Sequence, residues 1–339
     1  MTYAELLDPL LARRDMTFEH AQEVMRYLMG GEATDAQIGG VLIALRVKGC
    51  ITRELAAFAS VLRSQALTIR HDIPNLVDTC GTGGGAPSFN ISTAAAIVSS
   101  AAGAKIAKHG NRAVTSSCGS ADVLEALGVP LSGDPEHLLK VLGDIGIVFL
   151  FAPAHHPAMR HVGKARRELG VRTVFNQLGP LANPAGATRQ LIGVFDAGLM
   201  RSMGEALREL GCERALLVHG DDGLDELSPC GRSEVVQVKD GRVSTTTVEP
   251  ADFGLTPIDP IHLQPGETIA DNAVILKEAI SDPNSPRASA ILPSVAAALW
   301  LGGVADDFRL GAEMGRAAIA SGAALGKLDA LIASGGDSQ

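Results

Sequence analysis

The sequence predicts an α/β protein: a small all-helical domain followed by a large α/β domain with a mainly parallel central sheet. Three observations lead there. The chain is 339 residues long, beyond the usual ceiling for one hydrophobic core. Residues 1 to about 70 carry apolar positions at helical spacing and no strand pattern. From about residue 74 short apolar runs end in glycine loops and are followed by helical segments, the βα alternation of a parallel sheet.

Four short helices are expected first. Their apolar faces are Leu6, Leu7, Leu10 and Leu11, then Val24, Leu28 and Met29, then Ile38, Val41, Leu42 and Leu45. Start signals are Thr17 with Glu19 and Glu23, Thr34 with Asp35, and Thr52 with Glu54. Strand candidates follow at 75–80, 104–108, 147–151, 214–219 and 235–238. Helices are expected at 94–102, where Asn90, Ser92 and Thr93 mark the start, and at 121–127, 199–210, 271–280, 294–301 and 308–321. The turn residues of 281–286 mark a loop. Residues 157–181 interrupt the alternation with Met159, Val162, Leu169 and Val174 at helical spacing, a segment able to pack on the N-terminal helices as a lid. The expected division is 1–72, joined in space by about 157–184, against 73–156 with 185–339.

Apolar residues make up 46% of the chain and charged ones 20%, the balance of a folded globular protein. Aromatics are 4%, so the interior is built from Ala, Val, Leu and Ile. A net charge of −9 argues against nucleic acid as a partner, because that binding needs a field of Lys and Arg. Five scattered cysteines without a C-x-x-C pair suggest neither a disulfide framework nor a zinc site, and a reducing cytoplasm fits them. Neither a signal pattern at the N-terminus nor a stretch of roughly 20 apolar residues is present, so no membrane association is expected.

Four clusters could carry chemistry. The first is Gly81-Thr-Gly-Gly-Gly85, between a strand and a helix. Glycines admit a ligand close to the backbone, and helix N-terminal amides attract phosphate, although a plain turn is glycine-rich as well. It is neither a Walker A loop nor G-x-G-x-x-G. The second, residues 108–120, offers Lys108 and Arg112 as cations with Asn111, Thr115, Ser116 and Ser120 as directed donors, ahead of a helix capped by Ser120. Both loops follow strands and should meet at the carboxyl end of one sheet, where α/β proteins bind ligands. The third is basic: His155, His156, Arg160, His161, Lys164, Arg166, Arg167 and Arg172 against Glu168 alone. An anionic ligand explains it, and so does a solvated helix face, the commoner cause. The fourth holds Asp221, Asp222, Asp225 and Glu226, hard oxygen ligands suited to Mg2+ shared with substrate phosphates, or an acidic turn. No Ser/His/Asp or Cys/His nucleophile can be assembled by spacing. A phosphate cradle, Mg2+ and a second anion pocket describe a transfer from a pyrophosphate leaving group without a covalent intermediate.

These segments resemble the anthranilate phosphoribosyltransferases over essentially the whole chain. The signatures are Asp78-Thr-Cys-Gly-Thr-Gly-Gly84, Phe89-Asn-Ile-Ser-Thr-Ala94, Lys108-His-Gly-Asn-Arg-Ala-Val114, Gly119-Ser-Ala-Asp-Val-Leu-Glu-Ala-Leu-Gly128, Pro153-Ala-His-His-Pro-Ala-Met159, Arg166-Arg-Glu-Leu-Gly-Val-Arg-Thr173 and Asn176-x-Leu-Gly-Pro-Leu-x-Asn-Pro184. The resemblance implies a homodimer formed through the helical domain, with the site in the cleft between domains. It implies phosphoribosyl pyrophosphate as donor, anthranilate as acceptor and Mg2+ as cofactor. Implied donor positions are Gly81, Thr82, Gly84, Gly85, Ser88, Asn90, Ser92, Thr93, Lys108, Asn111, Ser116 and Ser120. Acceptor positions are Gly81, His109, Asn111, His156 and Arg166, and Mg2+ ligands are Ser92, Asp225 and Glu226. A same-fold transferase or phosphorylase with another ring acceptor, and a non-catalytic paralogue that binds a phosphorylated ligand, are the alternatives.

Departures from the family pattern lie on the donor side. Gly85 stands where the family has Asp, and the loop is one residue shorter before Phe89. Ser117 replaces a usual Lys or Arg, Cys118 a usual Ser, and Ser294 an Asn that often opens the late helix. By resemblance Gly85 weakens donor or metal affinity, and an aspartate at this position tightens it.

Overall fold

The structure, a computed structural model, describes residues 1–113 and 118–335. Its first quarter is helical: α1 (Tyr3–Leu11), α2 (Phe18–Met29), α3 (Asp35–Lys48) and α4 (Thr52–Ser64). Threonine hydroxyls open three of them, Thr2 accepting from the Glu5 amide, Thr17 from His20 and Thr34 from Gln37. Each satisfies an amide that has no partner within its helix. Thr52 is not the cap of α4 but its first residue. The preceding Ile51 has no side-chain oxygen, so the Glu54 carboxylate accepts from the Ile51 amide at 3.1 Å instead. That carboxylate is fully buried, and it also takes the Met16 amide at 2.8 Å and the Lys48 ammonium at 3.0 Å.

The chain then alternates: β1 (Val77–Gly81), α5 (Ile91–Ala101), β2 (Ile106–Gly110), α6 (Ser120–Ala126), α7 (Pro135–Ile145), β3 (Ile147–Phe151) and the short α8 (Ala152–His155). The next segment holds α9 (Arg160–Leu169) and α10 (Phe175–Leu178). It leads into β4 (Arg189–Gly193), α11 (Ala197–Glu209), β5 (Arg214–Gly220) and the hairpin of β6 (Ser233–Lys239) and β7 (Arg242–Val248). Four helices close the fold: α12 (Ile269–Ser281), α13 (Pro286–Leu301), α14 (Phe308–Ala320) and α15 (Ala323–Ala333).

The seven strands lie in the order β3-β2-β1-β4-β5-β6-β7. The first five are parallel, and the hairpin adds two antiparallel strands at one edge. The chain runs outward from β1 to β3 and returns to β4 on the other flank of β1. The carboxyl ends of β1 and β4 therefore send their connections in opposite directions, the switch point at which such sheets leave a crevice.

Period-2 alternation divides the strands between two hydrophobic masses. Leu191, Leu216, Val218 and Val235 face one that includes α5 and α12 to α15. Ile192, Leu217, Val236 and Val238 face the other, formed with α11, with α1 to α4, and with Val162, Phe175 and Leu178 of the 157–184 segment. That segment is helical, as its spacing predicts.

Several elements depart from the sequence reading. β4 escapes prediction because it is only five residues long and opens on Arg189 and Gln190. β7 is a threonine-rich edge strand that is mostly exposed, and α7 and α15 were not foreseen. α13 begins at Pro286, a residue suited to the first helical position, and runs through Pro293. Ser294 consequently sits buried in the middle of a helix and does not open one.

Candidate active site

The glycine loop leaves β1 at the switch point and is locked to β4 and to the β5–β6 connection. The Thr82 amide donates to the Gly193 carbonyl at 2.9 Å, and the Thr82 hydroxyl accepts from the Phe195 amide at 3.0 Å. The Ala86 amide donates to the Gly223 carbonyl at 2.7 Å. Gly83 and Gly84 have left-handed φ of 65° and 89°, which glycine adopts without steric cost. Close approach constrains the others: a Cβ on Gly193 would overlap the Asp225 carbonyl, and one on Gly85 would lie 2.5 Å from the Asp225 nitrogen. Gly84 leaves room for Arg172, whose Nη2 donates to the Gly84 carbonyl at 2.7 Å while its guanidinium lies 3.9 Å over the Phe195 ring.

At the start of α5, Asn90 holds the cap position without a side-chain cap bond. Its Nδ2 donates to the Cys118 carbonyl at 3.1 Å, tying the two loops together, while its buried Oδ1 has no partner. Thr93 Oγ1 is buried and unpartnered as well. Ser92 Oγ accepts from Lys108 Nζ at 3.1 Å. Ser88 is half-buried, just before Phe89, whose amide donates to the Leu263 carbonyl at 2.9 Å.

Lys108 lies in the middle of β2, almost wholly buried, and also donates to the Thr79 carbonyl. Burial holds its amine below the usual lysine range, against the charges of Asp78, Cys80 and Glu226. Asp78 is fully buried; its Oδ1 accepts from the His109 amide at 3.0 Å, and its Oδ2 has no partner. Asn111 turns inward on its own loop, its Oδ1 accepting from the Arg112 amide at 2.7 Å. Ser120 does not cap α6. Gly119 holds that position, Ser120 Oγ donates to the Asn111 carbonyl at 3.3 Å, and Asp122 takes the amides of Ala113 and Gly119 at 2.8 and 2.9 Å. Arg112 is not a free cation either, because Asp122 at 3.2 Å and Glu125 at 2.7 Å hold its guanidinium. Thr115, Ser116 and Ser117 lie outside the described residues.

The basic cluster divides. His155 is structural, its Nδ1 bonded to the Leu67 carbonyl at 2.8 Å, and Lys164 pairs with Asp35 of α3 at 2.5 Å. His156 packs against His109 with ring centroids 5.4 Å apart, and both of its nitrogens are buried without a partner. Burial, with the neighbouring histidine charges, pushes His109 down to about 3 and His156 to about 4. Both rings are therefore neutral near pH 7. Arg166 lies 5.1 Å over the Phe175 ring and has no carboxylate partner among the described residues.

In the acidic loop, Asp221 pairs with Arg232 at 2.8 Å, and Asp222 accepts from the Ser228 hydroxyl at 2.6 Å. These two build the turn. Asp225 and Glu226 point inward, and Glu226 accepts from the Ser294 hydroxyl at 3.2 Å. Burial, and next the Asp225 charge, push Glu226 up to about 7, against Lys108, Ser294 and the Ser92 amide; burial raises Asp225 too. No group of three His, Cys, Asp or Glu forms among the described residues. Two half-buried, under-neutralised carboxylates, Glu226 of them beside the Ser92 amide and Lys108, fit Mg2+, which binds through one or two carboxylates and leaves positions for substrate phosphates.

The sequence reading missed Arg172 as part of this loop, Ser294 as the partner of Glu226, and Gly193. Only Gly193 left a signal, a glycine closing the short apolar run of β4.

Comparison with known proteins matches this arrangement. The family model described as glycosyl transferase family, a/b domain, covers residues 73–325, and that of its helical bundle domain covers residues 4–66. The chain belongs to this glycosyl transferase family. Anthranilate phosphoribosyltransferase of Chloroflexus aggregans is 46% identical over 336 residues, 98% of each chain. That of Myxococcus xanthus is 45% identical over 99% of each. The crystal structure of the Thermus thermophilus anthranilate phosphoribosyltransferase superposes with a TM-score of 0.90 at 39% identity, over 97% of this chain and 98% of that one. The Saccharomyces cerevisiae enzyme, solved in complex with PRPP and Mg, gives 0.87 at 28% identity, covering 98% of this chain and 97% of that one. Within the wider family the chain is a member of the anthranilate phosphoribosyltransferases.

Proposed function

We propose that the protein transfers the phosphoribosyl group of phosphoribosyl pyrophosphate to anthranilate, giving N-(5-phosphoribosyl)anthranilate and pyrophosphate in tryptophan biosynthesis. One observation carries this reading. The glycine loop, the Lys108 amine and the Asp225–Glu226 pair converge where β1, β2 and β5 end, at the switch point of the sheet.

Donor binding falls to Gly81, Thr82, Gly84, Gly85 and Ser88 of the first loop, to Asn90, Ser92 and Thr93 at the start of α5, and to Lys108, Asn111 and Ser120. Unpartnered Asn90 Oδ1 and Thr93 Oγ1 are the kind of buried group a ligand completes. The role of Ser116 rests on resemblance alone. Ser92, Asp225 and Glu226 hold Mg2+, which neutralises charge on the departing pyrophosphate. Lys108 brings a fixed ammonium against Ser92 and needs no reorganisation as charge develops.

Acceptor binding falls to Gly81, His109, Asn111, His156 and Arg166. The two histidines are neutral near pH 7, so they offer apolar ring faces and single hydrogen bonds, and the charge that meets a carboxylate comes from Arg166. The aromatic amine attacks the ribose C1 as pyrophosphate leaves, and no covalent protein intermediate is required.

The protein acts in the cytoplasm as a homodimer joined through its helical domain. The division falls between 1–72 with 157–184, whose Val162, Phe175 and Leu178 pack with the N-terminal helices, and 73–156 with 185–339. Loss of anthranilate fluorescence with phosphoribosyl pyrophosphate and Mg2+ tests the activity, and no turnover at saturating substrates would overturn it. Turnover of a different ring amine instead would point to the other-acceptor alternative.

A further inference from the structure

Position 117 is a serine and supplies no cation, and Arg112 is bound by Asp122 and Glu125. A different arginine reaches the donor side from across the cleft. Arg172 lies between α9 and α10, in the segment that shares its core with the N-terminal helices. Its guanidinium donates to the Gly84 carbonyl at 2.7 Å and lies over the Phe195 ring at 3.9 Å, just past the end of β4. Arg46 of α3 fixes its backbone, Nη1 donating to the Arg172 carbonyl at 2.5 Å. A chain of contacts thus runs from the helical region, through Arg172, to the middle of the glycine loop.

The loop is built to receive it. Residue 84 has a left-handed φ of 89°, and any Cβ there would overlap the guanidinium. The next residue is pressed against the Asp225 backbone. Gly84 and Gly85 are therefore held between a cation and a metal-binding carboxylate. With Gly81, Gly83, Gly84 and Gly85 in so short a span, the loop has little conformational preference of its own, and its shape must come from such external contacts.

We propose that Arg172 is a positioning residue for the donor: it clamps the glycine loop into its phosphate-binding shape and brings positive charge to the Asp225 side of that loop. The assignment rests on the phosphoribosyl-donor reading. Arg172 acts through the loop amides, so its removal falls on the donor and spares the acceptor. The cation–π contact with Phe195 holds the guanidinium where Nη2 reaches Gly84, a two-point contact that lysine cannot reproduce.

The test is steady-state kinetics of the full-length enzyme, varying each substrate in turn, with calorimetric titration of phosphoribosyl pyrophosphate in the presence of Mg2+. Arg172→Ala should raise both donor KM and donor Kd about tenfold, the scale of one charge-assisted hydrogen bond discounted for exposure, with anthranilate KM and melting temperature nearly unchanged. Arg172→Lys should recover less than half of that loss. Arg46→Ala, which releases the backbone of residue 172, should shift donor KM the same way by about threefold. A donor KM for Arg172→Ala within about twofold of the parent would overturn the proposal, as would equal rises in both KM values together with a lower melting temperature. Failure of the parent enzyme to bind donor or turn over would sink the phosphoribosyl reading and this proposal with it.

Discussion

Gly85 gives the sharpest test of the donor loop, because family resemblance and structure predict opposite signs. By resemblance an aspartate at this position supplies a missing loop carboxylate and tightens the donor. In this chain a Cβ at 85 would stand 2.5 Å from the Asp225 nitrogen, 2.6 Å from its Oδ1 and 3.0 Å from its Cβ. The opposing atoms cannot retreat easily. The Asp225 carbonyl is packed on Gly193, and the adjoining Gly223 carbonyl holds the Ala86 amide at 2.7 Å. Overpacking of this kind costs about 1–3 kcal/mol, which corresponds to roughly 5- to 150-fold in affinity. Gly85→Ala carries the steric part alone, and Gly85→Asp adds a like charge beside Asp225. Both should raise the donor Kd measured calorimetrically with Mg2+, the aspartate variant at least as much as the alanine one. Inserting one glycine after residue 85 together with the aspartate restores the family loop length and should recover affinity relative to Gly85→Asp alone. A donor Kd that falls in Gly85→Asp itself would refute the steric reasoning.

Other consequences can be measured directly. His156 has a folded pKa of about 4 against an unfolded value near 6.5, so the unfolded chain binds the extra proton and stability falls as pH drops from about 6.5 towards 4. This one residue costs about 2 kcal/mol at pH 5, and His156→Gln should flatten the decline of melting temperature between pH 7 and 5. Glu54→Ala strands two amides and leaves the buried Lys48 ammonium with Asp15 alone; a loss of about 3 kcal/mol is expected in urea unfolding. Arg166→Ala should raise anthranilate KM at least tenfold and leave donor Kd within about twofold. Glu226→Gln should lower kcat about 100-fold and weaken the dependence of rate on Mg2+ concentration.

Much of this site was legible in the sequence because glycine and charge mark it densely. The loops at 81–85 and 108–113 and the carboxylates Asp225 and Glu226 follow β1, β2 and β5 as βα alternation implied, and His156 packs on His109 of β2, while Arg166 lies over Phe175. What escaped has physical reasons. β4 opens on two polar residues, so hydrophobic runs do not reveal it, and without β4 the switch point itself cannot be placed. The late helix expected at 294–301 begins earlier, at Pro286 after the Ser285 cap. Arg112 and Arg172 look alike as loop cations in the sequence, and only the fold shows one spent on Asp122 and Glu125 while the other crosses to Gly84.

The hydrophobic mass beneath the helical region also lines one whole face of the sheet, with Ile192, Leu217 and Val236 set against the same interior as Val24, Leu42 and Phe58. A chain cut at residue 72 would leave that face wet. The two parts have different architectures, and although the α/β part holds a core of its own, the helical part shares its interior with the sheet. They should lose amide protection together in hydrogen exchange and melt as one cooperative unit.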